Sequence, residues 1–209
     1  MRDQIKAVIY DCDGVMFDSF EANFAFYSEI LQQFGKPPLD RNDLETMTVL
    51  HTYCSRDVLD HLFRGDDARV PQALQYAASI NYMKLLPLMR MEEGLRETLE
   101  ALKGSVELAI CTNRASSMEA LLGIFGLDGY FSCVMTAARV TNPKPHPEPL
   151  FKVLEHYALE PAEALFVGDS DLDRRAADSA GVPFVAYRGA IPALARIDRH
   201  LDLLPLLGR

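Results

Sequence analysis

The chain has 209 residues, with 21 lysines and arginines against 30 aspartates and glutamates and a formal net charge of −9. That acidic balance argues against nucleic acid or an anionic membrane as a main partner, and no stretch approaches the length of a membrane span. A hydrophobic fraction of 49% at this length fits a globular protein with one large domain, or a core domain carrying a smaller insertion. Asp3 and Gln4 precede a short apolar run, which is not the pattern of a secretory signal. The cysteines Cys12, Cys54, Cys111 and Cys133 show no C-x-x-C spacing and read as reduced thiols of a cytoplasmic protein.

In chain order, Ala7 to Tyr10 is an apolar, partly β-branched run that reads as a buried strand. Asp11 and Asp13 follow with one residue between them. Alternate residues of an extended segment point the same way, and two like charges so placed are costly unless a cation or a proton lies between them. From about Ser19 to Leu86 the signals are helical only. Phe20, Phe24, Tyr27 and Leu31 mark one helix face, Gly35-Lys36-Pro37-Pro38 ends it, and the aromatic stripe reads as core packing. Val58, Leu59, Leu62 and Phe63 predict a second helix with Ser55 as N-cap, and a longer helix is expected from about Val70 to Pro87.

After Glu93-Gly94 the texture changes to alternating elements. The expected order is helix Leu95–Lys103, strand Val106–Cys111, helix Ser116–Phe125, strand Cys133–Thr136, helix Pro149–Tyr157, strand Leu165–Val167, helix Asp171–Ala180 and strand Phe184–Tyr187. Such alternation implies right-handed crossovers and a parallel sheet covered on both sides. The fold class is therefore α/β, a doubly wound, Rossmann-like parallel-sheet core with an inserted all-helical domain. The boundaries read as residues 1–16 and 88–209 for the core and 17–87 for the insertion.

Ligands of such sheets bind at the carboxyl ends of the strands, and four strand ends carry polar groups. The first bears Asp11 and Asp13. The second bears Thr112 and Asn113, suited to phosphate oxygens but equally to helix capping. The third region, Asn142 to Pro149, fixes Lys144 among four alternating prolines, which suits a catalytic cation and equally a stiff surface linker. The fourth runs Gly168-Asp169-Ser170-Asp171-Leu172-Asp173; Asp171 and Asp173 also suit a helix N-terminus, whereas Asp169 at the strand edge does not reduce to that. Oxygen-only ligands favour Mg²⁺ over Zn²⁺, and the inventory as a set fits phosphoryl transfer.

Asp11-Cys12-Asp13-Gly14-Val15, Thr112-Asn113, Lys144-Pro145 and Gly168-Asp169 through Asp173 resemble, in order, the four signature motifs of the haloacid dehalogenase superfamily. The insertion resembles the small helical cap of its phosphoglycolate phosphatase and β-phosphoglucomutase group, and the likeness covers nearly the whole chain. The resemblance implies Asp11 as nucleophile, forming an aspartyl-phosphate, and Asp13 as general acid and base. It implies Mg²⁺ on Asp11, the backbone carbonyl of Asp13, Asp169 and Asp173. Phosphate would be held by Thr112, Asn113, Lys144 and the backbone at Cys12 and Asp13. An acid at position 13 favours a phosphatase of a small phosphorylated metabolite, phosphoglycolate-like or a sugar phosphate, or alternatively a sugar phosphomutase, acting as a monomer or homodimer. The glycine-centred specificity loop of related caps is missing; His51 to Arg56 stands in its neighbourhood, and Glu93-Gly94 replaces the usual Pro-Gly. His51, Arg56, Tyr82 and Lys84 are candidate substrate contacts of the cap, each also explained by a solvated helix face. The remaining histidines read as surface residues.

Overall fold

The computed structural model describes residues 5–115 and 117–209; Asp3, Gln4 and Ser116, used above, lie outside them. The first part of the chain forms β1 (Ala7–Tyr10), β2 (Phe17–Asp18), α1 (Phe20–Gln33), α2 (Leu44–Thr52), α3 (Ser55–Leu62) and α4 (Val70–Ser79). It continues with β3 (Arg90–Met91), α5 (Leu95–Leu102), β4 (Glu107–Cys111), α6 (Met118–Ile124), β5 (Cys133–Met135) and α7 (Glu148–Tyr157). The last elements are β6 (Ala164–Gly168), α8 (Asp171–Ala180), β7 (Phe184–Tyr187), β8 (Ala195–Ile197) and α9 (Leu203–Leu206). Two compact units result: Met1–Phe17 with Met91–Arg209, and Asp18–Arg90.

In the first unit six strands lie in the order β5-β4-β1-β6-β7-β8, each pair parallel. The order follows from the crossovers: β4 and β5 are laid down on one side of β1, then β6 to β8 on the other. β1 is thus central, with Ile9 paired to Ala109 on one side and Phe166 on the other. A strand covered on both faces needs apolar residues at every position, and Ala7, Val8, Ile9 and Tyr10 are all fully buried. Below one face, Ile9, Phe166 and Phe184 pack against Leu150 and Val153 of α7 and Ala176, Ala177 and Ala180 of α8. Each fully buried Leu, Ile, Val or Phe there contributes roughly 1.5–3 kcal/mol.

The Asp18–Arg90 unit has its own core, in which Tyr27, Ile30 and Leu31 of α1 meet Met47 and Leu50 of α2 and Val58, Leu59 and Phe63. Phe20 and Phe24 pack against the same cluster, so the aromatic stripe is core. Three helical expectations change. α2 was not legible from apolar spacing, because Leu44 at its start faces solvent and the helix is held by Asp43, whose carboxylate accepts the Thr46 N–H. Ser55 is the first residue of α3 and Cys54 occupies the cap. The helix from Val70 stops at Ser79, since the Asn81 side chain accepts the Met83 N–H and turns the chain into two short 3-10 segments, Tyr82–Lys84 and Leu86–Leu88. In the core unit, edge strand β8 was also unforeseen; its Ala195 and Arg196 lack a continuous apolar pattern.

Candidate active site

The strand order reverses at β1, between chains laid to β4 and chains laid to β6, and the crevice of a doubly wound sheet lies at such a point. Asp11 leaves β1 with its N–H on the Val167 carbonyl (2.9 Å), and Thr112 leaves β4 with its N–H on the Met135 carbonyl (2.9 Å). Both side chains are thereby carried on the last rung of the sheet rather than on free loops.

Lys144 binds the two acids nearest the centre. Its Nζ lies 2.8 Å from Asp11 Oδ1 and 2.5 Å from Asp173 Oδ1, and over the Phe166 ring at 5.4 Å from the centroid. The lysine is only 3% exposed and Asp173 not at all, so the pairing acts in a low dielectric where leaving either charge alone would be costly. Asp173 Oδ2 accepts the N–H and the hydroxyl of Ser170 (3.1 and 2.6 Å) and the Asp169 N–H (3.3 Å). Asp173 therefore both caps α8 and anchors the ammonium. Two glycines make this packing possible. A Cβ on Gly14, whose φ is +78°, would stand 2.0 Å from Asp169 Oδ2, and one on Gly168 would stand 2.6 Å from Asp173 Cβ.

Carboxylate oxygens of Asp11, Asp169 and Asp173 all lie within 4.8 Å of one another. Hard carboxylate oxygens gathered at one point are the donors that a cation of the Mg²⁺ type takes. The electrostatics agree. Burial and the Asp173 charge push the Asp11 carboxyl up to about 7 against the pull of Lys144. Burial and the neighbouring acids raise Asp169 well above the usual carboxylate range. Three ionised carboxylates and one ammonium would leave two negative charges, which a divalent cation balances. The donor set is hard oxygen, and the residues fit a divalent metal; Asp173, with Oδ2 saturated by donors, is suited to orienting more than to direct ligation.

The other expected residues divide between this cluster and its supports. Asp13 turns its carboxylate to Arg114, which donates from Nε to Oδ2 (2.7 Å) and from Nη2 to Oδ1 (2.6 Å). Thr112 is 3% exposed, and its Oγ1 accepts the Arg114 N–H at 3.1 Å through a lone pair, not the hydroxyl proton. Asn113 Oδ1 accepts the Lys144 N–H and its Nδ2 donates to the Lys144 carbonyl, both at 3.0 Å. The Lys144–Pro145 peptide is cis. Cys12 is buried, and burial with the Asp13 charge raises its thiol well above the usual value. Its side chain is packing; only its backbone remains a candidate for phosphate. Asp171 is exposed and pairs with Arg174.

In the helical unit, His51 stacks on Phe20 with centroids 4.6 Å apart, Arg56 pairs with Asp60, Tyr82 meets Phe26 edge-on and Lys84 is exposed. All four cysteines are free thiols. The surface expectation for His200 is overturned. It is fully buried, with Nε2 2.8 Å from the Val15 carbonyl and its ring stacked on Tyr187 at 4.5 Å. Its short 3-10 setting near the chain end carries no apolar periodicity that would have marked it. Arg114 was likewise missed as a site residue, its only signal being a place directly after Thr112-Asn113.

The fold and the strand-end cluster define an α/β enzyme centre of buried acids around one lysine at the carboxyl edge of a parallel sheet. The family model of the haloacid dehalogenase-like hydrolases matches residues 8–187, and the chain belongs to that family of enzymes. It is 57% identical to a haloacid dehalogenase superfamily hydrolase of subfamily IA from Geobacter sulfurreducens, covering 97% of this chain and 100% of that one with a TM-score of 0.85. A phosphoglycolate phosphatase predicted in Haemophilus somnus is 26% identical, covering 97% of this chain and 98% of that one, with a TM-score of 0.81. Pyrophosphatase PpaX of Bacillus mycoides is 27% identical over 99% of this chain and 98% of its own length. Among the described residues no helix is long and apolar enough to cross a membrane.

Proposed function

We propose that this hydrolase is a Mg²⁺-dependent phosphatase acting on a small phosphomonoester, phosphoglycolate-like or a sugar phosphate. The observation that carries the reading is the Asp11 carboxylate held by Lys144 with the oxygens of Asp169 and Asp173 beside it. A carboxylate so placed is aligned and has its charge compensated, which a nucleophile facing an anionic phosphoryl group requires. Asp11 attacks phosphorus, the bond from phosphorus to the leaving oxygen breaks, and Asp13 gives that oxygen its proton. Water then attacks the aspartyl-phosphate, Asp13 takes a proton from it, and inorganic phosphate leaves with Asp11 restored. Thr112 and the backbone N–H groups at Cys12 and Asp13 hold phosphoryl oxygens, and Lys144 balances charge on both partners. Asp11, the Asp13 carbonyl and Asp169, with Asp173 behind them, would hold Mg²⁺, which when bound would supply further charge neutralisation of the phosphoryl group. The helical unit, residues 17–87 by the sequence boundaries, serves as the cap that selects the substrate.

The test is phosphate release from a panel of phosphometabolites that includes phosphoglycolate, sugar phosphates and pyrophosphate, with Mg²⁺ and with excess EDTA. Release that stops with EDTA and with Asp11→Asn is expected. A fully active Asp11→Asn protein sinks the reading, and a trapped phosphoenzyme that prefers a sugar hydroxyl to water converts it to a phosphomutase.

A further inference from the structure

Arg114 has no part in the chemistry above, yet it is the most committed cation in the site after Lys144. It is 9% exposed, on the loop leaving β4, and it reaches a carboxylate 101 positions earlier in the chain. Its guanidinium binds Asp13 with both teeth of the fork, at 2.7 and 2.6 Å. Its remaining arm, Nη1, donates to Ser117 Oγ at 3.0 Å. Ser117 sits at the N-cap of α6 but makes no side-chain cap bond to that helix. The serine hydroxyl, normally spent on a helix end, is spent on the arginine. The Arg114 backbone N–H is fixed as well, on Thr112 Oγ1.

We propose that Arg114 is a positioning residue for the Asp13 carboxylate. The inference rests on the phosphatase reading, in which Asp13 exchanges protons with the leaving oxygen and with water. Asp13 follows the last strand residue by three positions and precedes Gly14, so its backbone leaves two side-chain torsions to settle by contact. A planar fork fixes both at once, because two parallel N–H bonds define the plane of the carboxylate and its rotation in that plane. Each tooth occupies one lone pair of one oxygen and leaves another for a proton. The arginine thereby aims the group without occupying the position where it works. A lysine would hold one oxygen as a point charge and leave the plane free. Misplacement by an ångström at such a centre costs on the order of 10²-fold in rate.

The competing role for Arg114 is direct contact with substrate phosphate, and a double-mutant cycle separates the two, with phosphoglycolate as probe because its alkoxide leaving group needs the proton that Asp13 supplies. Arg114→Met is expected to lower kcat about 10- to 100-fold with KM changed less than about threefold, and Arg114→Lys to recover part of the loss. In an Asp13→Ala background the Arg114→Met change is expected to alter kcat less than about twofold, since the group it aims is gone. An equal loss in both backgrounds, or a tenfold rise in KM with kcat kept, overturns the assignment. If Arg114→Met does not fold by circular dichroism, the same cycle is run with Arg114→Lys. A wild-type rate in Asp13→Ala would instead remove the acid-base reading, and the positioning role with it. An additive cycle on a weakened Asp13→Ala enzyme removes the positioning role alone.

Discussion

Gly14→Ala tests whether the packing of the first and fourth motifs fixes the Asp169 carboxylate. Two costs follow. The first is backbone strain: φ is +78°, and a side chain in the left-handed region costs about 1–2 kcal/mol. The second is steric, because the new Cβ would stand 2.0 Å from Asp169 Oδ2 and 2.8 Å from its Cγ, where real Cβ atoms keep beyond 3.0 Å. The carboxylate must retreat by about 1 Å or more, enough for roughly 10²-fold in rate. Disturbing a metal's surroundings adds about 10- to 100-fold in metal affinity. Gly104→Ala is the matched control, since its φ is +75° and nothing lies within 4 Å of its Cβ. Both variants are expected to lose stability by the strain, a few degrees of melting temperature for a chain of this size. Only Gly14→Ala is expected to lose kcat and to shift its Mg²⁺ titration to higher concentration. Equal activity and equal Mg²⁺ dependence in the two variants would refute the argument that this glycine exists to let Asp169 approach.

Lys144→Met removes the ammonium between Asp11 and Asp173. Leaving buried charges unpaired costs about 3–5 kcal/mol, and Mg²⁺ should restore part of it, so the Mg²⁺-induced gain in melting temperature is expected to exceed that of the wild type; equal gains would mean that ammonium and metal do not share these carboxylates. His200 gives an acid-side signature. Burial lowers it to about 4 from the usual 6.5; the unfolded chain takes up the proton first, so its contribution is full above pH 6.5 and falls as the pH drops towards 4. The loss by pH 5 is about 2 kcal/mol. Asp11, raised to about 7, works in the opposite sense over the same range, so urea unfolding of the wild type is compared with His200→Gln at pH 7 and pH 5. A difference between them that does not change with pH refutes the assignment.

The sheet and the strand-end residues were legible because their physics is local. β1 announces itself as an apolar run that must be buried on both faces, and Asp11 stands where that run stops. Lys144 was legible through its prolines, and Asp169 through the glycine before it. What could not be read was set by contacts between distant segments. Nothing near Asp13 says that its carboxylate meets an arginine on another strand end, and nothing near His200 says that the Val15 carbonyl will need a donor. The helical unit was the least legible part, because short helices such as α2 depend on a capping aspartate and on packing partners more than on a long apolar period.

The bonds between Asn113 and Lys144 have a consequence for how the third motif is built. The side-chain amide offers a carbonyl and an N–H in the same spacing as a peptide group, and Lys144 pairs with it through its own N–H and carbonyl. Asn113 is thus a surrogate rung that continues the ladder one step beyond β4, and the loop bearing the lysine is tied to it without being a strand. Edge strand β5 has only three residues and has no length to spare for the task. The lysine therefore inherits its placement from β4, the neighbour of the central β1, and an aspartate at position 113 would turn an oxygen towards the Lys144 carbonyl and undo one half of the splice.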